Sequence, residues 1–586
     1  MGSSVLFLPK AIHHVGQVTM NKPRLTQPCR STLLVFAIAV LACPAVAALG
    51  AGTLVPQFTI YEQALQHAGQ YANPYVELSA TAELTPPAGR PARSIPLFWD
   101  GGDVWKFRFA PDLTGTWQWV IHSSDSGLDG ESGHFVVGAS DARGSIQPMR
   151  NHPHHFQTQG GSPFWFLGDT AWALYTDNMA EGLSRKTALE YVDVRAGQGF
   201  NVLHSMLMSE AGWGNQGGPP FSDIGAERIN PRYWQEVDVR LAHVNRMGMI
   251  AGLALAWGNK GRGEKYAWNR FPSDDARKRY ARYIAARYSA FNVYFIVAGE
   301  WHAEIRTTPK ATADSVRQEF IAIGDALHAS DPHHRMIAIH PMTAQGSVRE
   351  FVGTGWMAFG DYQQNYRDLH RRVLLSRKGN LPVVNSEYGY YLRDQDGDGL
   401  PDKSNSMDAD SMRHASWDIA MEGGYLVKGF GTTYFGGNRD PGPFDVHAKK
   451  NTVWDTQIGA LRKVFTSLPW WLLKPSDDLI TADVPRGKDG MRHVRKGARR
   501  GRALIEPPAT TYWMLADRGN IYVAYVRGAR GPFHLRIDTG RGSNWEAEQF
   551  DPRTGRRDYF GRQFITSTYE YQPPDDQDWV LVLRRR

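Results

Sequence analysis

Residues 293–300 read VYFIVAGE, a run of seven hydrophobic or small residues that ends in a carboxylate. A run without polar alternation is typical of a strand that is buried on both faces of a parallel sheet. Seven other runs share this pattern: FWFLGD (164–169), NVLHSMLM (201–208), MIAGLALAW (249–257), RMIAIHP (335–341), WMAFGDYQ (356–363), PVVNSEYG (382–389) and YLVKGFGTTYF (425–435). The sequence therefore predicts eight buried parallel strands.

Amphipathic stretches separate most of these runs and indicate connecting helices. The clearest are KTALEYVDVRAG (186–197), PRYWQEVDVRLAHVNRMG (231–248), DDARKRYARYIAARYS (274–289), ADSVRQEFIAIGDALHAS (313–330) and SMRHASWDIAMEGG (411–424). Eight strands that alternate with helices predict an α/β fold, a (β/α)₈ TIM barrel over residues 145–475. An open doubly wound sheet is the alternative, but no glycine-rich dinucleotide loop supports it.

The regions on either side of the barrel show a different periodicity. Residues 50–142 and 476–586 contain short stretches of alternating polar and apolar residues broken by turn signals, a pattern that predicts antiparallel β-sandwiches. The 586 residues are 42% hydrophobic and 21% charged, which excludes disordered, fibrous and membrane-embedded classes. The 19 tryptophans favour carbohydrate binding, although burial in the core explains each of them equally well.

The first 47 residues are interpreted as a signal peptide. They carry four basic residues and no acidic one, then an apolar run from Leu33 to Ala42, then Ala45-Val46-Ala47. We therefore expect a secreted or periplasmic bacterial protein with no membrane span. A lipoprotein site at Cys43 is an alternative that Leu41-Ala42 fits poorly. Both cysteines lie in this leader, so no disulfide is expected after cleavage.

The net charge of +7 gives no indication of a nucleic-acid partner, because four of those charges lie in the leader. One segment is strongly basic: residues 486–502 contain eight Lys or Arg and one Asp. It is interpreted either as a solvated loop or as a contact for an acidic polysaccharide. The sequence leaves the oligomeric state open.

Polar and aromatic residues at the carboxyl ends of barrel strands are the candidate site, because TIM-barrel active sites form there. Glu300 follows the fourth strand and Glu387 the seventh. The candidate substrate-binding residues are Asp169, Trp172, His204, Trp257, His340, Asp361, Gln363 and Tyr434. Glycoside hydrolysis needs two carboxyls, which lie about 5–5.5 Å apart in retaining enzymes. Strands 4 and 7 face each other across a barrel, so Glu300 and Glu387 are the predicted catalytic pair; ion pairs at the rim are the alternative.

Other catalytic chemistries lack their motifs here. The sequence contains no HExxH, no P-loop and no G-x-S-x-G elbow, so we expect no required cofactor. One loop resembles a calcium site in its spacing: Asp394, Asp396, Asp398 and Asp402 alternate as oxygen ligands do in calcium loops. Asn405 stands where such loops place a glutamate. A structural Ca²⁺ and an acidic turn without an ion both remain open.

The motif FWFLGDTAW (164–172), together with the two glutamates and the flanking sandwiches, resembles the apiosidase-like catalytic domain of glycoside hydrolase family 140. WKFRFAPDLTGTWQW (105–119) resembles the β-sandwich that precedes such barrels. EPPATTYWMLADRGNIYVAYV (506–526) and FDPRTG (550–555) resemble a collagen-binding-like module. The family usually has Gly-Asp where this chain has Gly299-Glu300, and its clan usually has Asn before the acid/base.

The resemblance implies a retaining enzyme that acts on a plant or bacterial polysaccharide side chain, with Glu300 as the acid/base and Glu387 as the nucleophile. A function of a different class remains open: a non-catalytic carbohydrate- or matrix-binding protein built on an inactive barrel.

Overall fold

Two β-sheets share one hydrophobic core in the amino-terminal part of the chain. The computed structural model describes residues 53–586 except 88, 180–181, 224, 262, 309–311, 343, 365–367, 392–405, 408, 430–448, 488–493, 497–502 and 506–509. The elements here are β1 (Thr53–Pro56), β2 (Tyr61–Gln66), α1 (Pro74–Glu77), β3 (Ala80–Thr85), β4 (Arg93–Pro96), β5 (Phe98–Gly101), β6 (Val104–Phe109), β7 (Gly115–Ser123) and β8 (Ser132–Gly138). The strand orders are β1-β8-β7-β3-β4 and β2-β6-β5. Tyr61 of one sheet stacks on Phe135 of the other, with ring centroids 4.1 Å apart.

A small antiparallel sheet covers the amino-terminal end of the barrel. It consists of β9 (Ile146–Met149), β10 (His152–Thr158) and β11 (Pro163–Phe164). Phe156 of β10 lies within 5.1–6.0 Å of the rings of Phe166, Phe359 and Tyr425, which stand at the beginnings of barrel strands. This end of the barrel is therefore filled by aromatic side chains, and the opposite end is left for a site.

Eight parallel strands form the barrel. They are β12 (Leu167–Thr170), β13 (Val202–Met206), β14 (Ile250–Ala254), β15 (Val293–Ile296), β16 (Ile337–Ala338), β18 (Gly360–Gln363), β19 (Val383–Tyr391) and β21 (Tyr425–Gly429); the short β17 (Gln345–Gly346) and β20 (Ser406–Met407) pair with β18 and β19. The sheet order is β16-β15-β14-β13-β12-β21-β19-β18. A parallel bridge between Ile337 and Met357, just before β18, joins its two ends. The predicted TIM barrel is confirmed.

Helices connect the barrel strands: α2 (Arg185–Gly197), α3 (Pro231–Arg246), α4 (Asp274–Tyr288), α5 (Ala303–Thr307), α6 (Ala313–Ala329), α7 (Val348–Phe351), α8 (Leu369–Ser376), α9 (Ala409–Ala420) and α10 (Lys449–Thr466). The five predicted helices, α2, α3, α4, α6 and α9, have bounds close to those predicted. Side-chain oxygens cap the amino ends of α2 and α6: Ser184 accepts the backbone N–H of Thr187, and Thr312 that of Ser315. Gly248 follows α3 with a φ of 76°, a conformation that favours glycine.

The carboxyl-terminal part again contains two facing sheets, together with a separate two-stranded sheet of residues 494–496 and 503–505. Its strands are β22 (Lys474–Pro475), β23 (Ile480–Ala482), β24 (Val494–Lys496), β25 (Ala503–Ile505), β26 (Thr511–Asp517), β27 (Ile521–Arg527), β28 (Phe533–Arg536), β29 (Ser543–Phe550), β30 (Arg557–Ile565), β31 (Thr568–Tyr571) and β32 (Trp579–Arg585). Sheets β22-β26-β27-β32-β29-β30 and β23-β28-β31 share one core. The predicted β-rich flanks are confirmed, whereas the exact domain boundaries stay predictions.

Buried ion pairs join the amino-terminal sheets to the barrel. Arg108 of β6 lies 2.7 Å from Asp238 of α3, and Arg287 of α4 lies 2.8 Å from Asp100 of β5. Each side of the interface therefore supplies one cation and one anion. Because all four charges are largely shielded from water, each needs its partner.

The carboxyl-terminal sheets are joined to the barrel by the same exchange of charges. Arg413 of α9 lies 2.7 Å from Asp578 beside β32, and Asp418 of α9 lies 2.8 Å from Arg527 of β27. The four residues are buried. Among the described residues, no helix is long and apolar enough to cross a membrane.

Candidate active site

Glu387 lies inside β19, where the strand is irregular. The pairing of β19 with β21 shifts register between Asn385 and Tyr388, so an extra residue is accommodated at this point. Such bulges re-aim side chains and are frequent beside active sites. The Glu387 side chain is only 5% exposed. The strand thus holds this carboxylate in a fixed position.

His340 is the partner of Glu387. Its Nε2 lies 3.1 Å from Glu387 Oε2, and its Nδ1 lies 2.7 Å from Ser386 Oγ and 3.6 Å from Asp361 Oδ2. Burial opposes a charge on the imidazole, but the hydrogen bonds and negative charges of Asp361 and Glu387 outweigh it and raise the pKa of His340 to about 10. An imidazolium therefore stands beside Glu387 at neutral pH, and both ring nitrogens donate hydrogen bonds.

Glu300 lies beyond the end of β15 in a strained backbone conformation. Its φ is 44°, in the left-handed region that side chains other than glycine rarely adopt. The preceding residue must be glycine, because a Cβ at Gly299 would lie 2.1 Å from the Trp257 ring. Trp257 Nε1 donates to Glu300 Oε2 at 3.2 Å. The Gly299-Glu300 pair thus brings this carboxylate against Trp257.

Lys260 forms an ion pair with Glu300. Lys260 Nζ lies 2.7 Å from Glu300 Oε2 and 3.2 Å from Glu210 Oε1. Burial alone would raise the pKa of Glu300, but the Lys260 ammonium lowers it below its usual value. Burial raises the pKa of Glu210, against the opposing charge of Lys260. Neither Lys260 nor Glu210 was predicted from the sequence, although each follows a barrel strand by a few residues.

Two tryptophans and a histidine surround these groups. The Trp172 and Trp257 rings meet edge to face with centroids 4.9 Å apart, and Trp172 lies 5.8 Å from His340 and 6.0 Å from His204. Only 2% of Trp172 and 4% of Trp257 is exposed. His204 is hydrogen-bonded to Tyr294, and burial holds its pKa well below the usual value, so its ring is neutral. Substrate binding by these three residues stays a prediction.

Asp169 is buried in a network of its own. Its Oδ2 lies 2.5 Å from Arg195 Nε and accepts the Tyr191 hydroxyl, and its Oδ1 lies 3.0 Å from Lys428 Nζ. Asp169, Arg195 and Lys428 have no exposed side-chain surface. These contacts join the first and last barrel strands, so the structure gives Asp169 a role in closing the barrel, and its contact with substrate stays a prediction.

Asp361 and Gln363 both lie on β18 and are buried. Asp361 accepts a hydrogen bond from Ser386, which in turn contacts His340. Asp361 therefore influences Glu387 by way of His340. Gln363 Oε1 has no hydrogen-bond partner among the described residues. Several predicted features lie outside the described residues: Tyr434, the predicted calcium ligands Asp394, Asp396, Asp398 and Asp402, the leader, and residues 488–493 and 497–502 of the basic segment.

Within the described part of the chain, one group of side chains could hold a metal ion: His370, Glu422 and Asp477. His370 Nε2 lies 2.8 Å from Glu422 and 2.9 Å from Asp477. The two carboxylates overcome the effect of burial and raise the pKa of His370 to about 10. The protonated His370 ring therefore already balances part of their negative charge. His370 lies on α8, Glu422 follows α9, and Asp477 follows β22.

Three family models match the chain. Residues 150–471 match the family described as "Apiosidase-like, catalytic domain". Residues 54–124 match a "Domain of unknown function (DUF5060)", and residues 507–584 match a "Putative collagen-binding domain of a collagenase". No curated protein sequence matches the chain.

Two solved structures from Bacteroides vulgatus share the fold. One, described as a "putative glycoside hydrolase", is 17% identical, covers 91% of this chain and 100% of its own, and has a TM-score of 0.69. The other, described as a glycoside hydrolase family 5, is 17% identical, covers 75% of this chain and 94% of its own, and has a TM-score of 0.57. At 17% sequence identity, the similarity to these structures shows that the fold is shared.

Proposed function

The chain belongs to the family with the apiosidase-like catalytic domain, and on that premise we propose that it hydrolyses glycosidic bonds with retention of anomeric configuration. The observation that carries the proposal is the pair of carboxylates at strands 4 and 7 with opposite surroundings. Glu387 lies beside the His340 imidazolium, and Glu300 contacts the Lys260 ammonium and the Trp257 indole N–H. A carboxylate fixed in position suits a nucleophile, and the ammonium beside Glu300 stabilises the carboxylate form that takes a proton in the second step.

In the first step, Glu387 attacks the anomeric carbon and the bond from that carbon to the leaving oxygen breaks. Glu300 gives its proton to that oxygen. His340 donates a hydrogen bond to Glu387 Oε2 and fixes the orientation of the carboxylate. The products are the released alcohol and a glycosyl ester of Glu387.

In the second step, a water molecule attacks the same carbon while Glu300, now a carboxylate, takes its proton. The ester bond to Glu387 breaks and both glutamates return to their starting forms. Trp257 Nε1, which donates to Glu300 Oε2, keeps the carboxylate aimed at the same point in both steps. No redox or group-transfer cofactor enters this chemistry.

We propose as substrate a side chain of a plant or bacterial polysaccharide, and as location the periplasm or the exterior of a bacterial cell. The leader at residues 1–47 supports the location. Calcium binding by the loop from Asp394 to Asp402 is a further proposal that rests on its sequence spacing. Chelation by EDTA should lower the melting temperature, calcium should restore it, and Asp396→Ala should abolish the response.

A substrate panel read by proton NMR tests the function. Purified protein is incubated with pectic, arabinan and microbial polysaccharides, and the anomeric signals of the first product are recorded. We expect a product with the anomeric configuration of the substrate. An inverted product would refute the covalent intermediate, and binding without hydrolysis would favour the non-catalytic alternative.

A further inference from the structure

Lys260 is the cation nearest to the proposed acid/base among the described residues, and it is shared by two carboxylates. It follows β14, close to the Trp257 ring, whose centroid lies 5.0 Å from Nζ. Its distances to Glu300 and Glu210 are 2.7 and 3.2 Å. The Lys260 side chain is 17% exposed, so water screens these pairs only partly.

The catalytic cycle places opposite demands on this ion pair. Glu300 must be protonated when the leaving group departs and ionised when water attacks. A lysine with Glu300 as its single partner would keep Glu300 ionised and would be left unpaired whenever Glu300 took a proton. Glu210 removes that difficulty, because Lys260 keeps one carboxylate partner in either state.

We propose that Lys260 and Glu210 are positioning residues that set the protonation state of Glu300, with Lys260 stabilising its base form and Glu210 retaining the lysine in its acid form. The proposal rests on the proposed function in assigning Glu300 as the acid/base. The charges agree with it: Lys260, Glu210 and a protonated Glu300 together are neutral, and they carry one negative charge once Glu300 has given up its proton.

Three other titratable groups lie near Glu300, Lys260 and Glu210. His340, beyond β16, contributes positive charge, but its ring nitrogens already contact Glu387, Ser386 and Asp361. His302, at the start of α5, is neutral near pH 7, because burial and then Arg306 lower its pKa to about 4. Glu264, on the loop that carries Lys260, adds negative charge near Glu210.

The two positioning residues should shift the titration of Glu300 in opposite directions. Without the ammonium, Lys260→Met should raise the pKa of Glu300 by about one pH unit or more. Glu210→Gln removes a like charge and leaves Lys260 to Glu300, so it should lower that pKa. Lys265→Met, which removes an exposed charge from the same loop, is the matched control and should change little.

The decisive measurement needs no substrate. In full-length protein labelled with ¹³C at glutamate carboxyls, the Glu300 signal is assigned by its loss in Glu300→Gln and followed against pH. The proposal is supported if the titration midpoint of this signal shifts to higher pH in Lys260→Met and to lower pH in Glu210→Gln. An unchanged midpoint in Lys260→Met, or shifts of both variants in the same direction, overturn it. Lys260→Gln repeats the test if Lys260→Met fails to fold.

A second readout separates this proposal from the proposed function. The basic limb of kcat/KM reports the acid/base of the free enzyme, so it should move to higher pH in Lys260→Met and to lower pH in Glu210→Gln. NMR shifts in a protein that hydrolyses no glycoside would overturn the proposed function and leave the charge relation intact. Hydrolysis of glycosides together with unshifted pH limbs and an unshifted Glu300 signal would support the proposed function and overturn the role of Lys260 and Glu210.

Discussion

The ends of strands 4 and 7 carry the same side chain in contrasting surroundings. Glu387 lies in a bulge of β19 beside a buried histidine that Ser386 and Asp361 hold in place. Glu300 lies outside β15, on left-handed backbone, beside the long side chain of Lys260. A nucleophile needs a constant charge and position, whereas an acid/base must gain and lose a proton. The contrast teaches that backbone placement and partner type divide the two roles.

The largest expected effect is at strand 7. Glu387→Gln should lower kcat/KM by several orders of magnitude while the protein stays folded, because the neutral amide cannot act as a nucleophile. Steady-state kinetics and a thermal melt check both parts. Glu350→Gln, a change of the same kind on α7, should keep wild-type activity. Near-normal activity in Glu387→Gln would remove the distinction between the two strand ends.

At strand 4 the loss should be smaller and should depend on the substrate. We expect Glu300→Gln to lower kcat/KM by about 10²–10⁴-fold for poor leaving groups, because no proton is supplied to the departing oxygen. Aryl glycosides with acidic leaving groups need no such proton and should retain more activity. Equal losses across a series of aryl glycosides would contradict the acid/base assignment.

A backbone change should sharpen the comparison without altering any charge. In Gly299→Ala the new Cβ meets the Trp257 ring, so the ring and Glu300 must move apart. We expect kcat/KM to fall by about 10- to 100-fold through misplacement. Gly353→Ala, where a Cβ meets nothing within 4 Å, is the control. An unaffected Gly299→Ala enzyme would show that Glu300 needs no support from Trp257.

The smallest effect concerns stability and pH. The pKa of His340 in the folded protein, about 10, exceeds its ordinary value of 6.5. Its charge therefore stabilises the fold fully below about pH 6.5, and the contribution is lost as pH rises through 10. The difference in unfolding free energy between wild type and His340→Gln should be larger at pH 6 than at pH 10. The exposed His328→Gln serves as control, and a difference independent of pH would argue for a neutral His340.

The sequence predicted the barrel well because its signal is local. The fully apolar run before Glu300 marks a buried strand, and the helix predicted from Pro231 begins at that residue, where the Asn230 side chain accepts the Arg232 N–H. The positions of Glu300 and Glu387 follow from strand order alone.

What the sequence left out depends on contacts between distant loops. Lys260 and Glu210 are 50 residues apart and belong to no periodic pattern, so neither loop indicates that an ammonium joins them. The substrate contact of Asp169 stays a prediction, whereas its partners Arg195 and Lys428 were not predicted, because they lie on α2 and β21, which only the folded barrel brings together. Side-chain partners across a fold are set by tertiary packing, which a single strand or helix pattern does not encode.

The crossed charges at both flanks bear on how such a protein can be recombined. At each interface the barrel contributes one arginine and the flank another. The barrel contributes Arg287 and Arg413, and the flanks contribute Arg108 and Arg527. Exchange of a flank for a foreign sandwich would remove one carboxylate partner from Arg287 or Arg413, which would keep Asp238 and Asp410 respectively. It would also remove an arginine partner from Asp238 or Asp418 in a buried seam. The three parts are therefore expected to be inherited together, and a chimaera will tolerate a new flank only if both of its charges are matched.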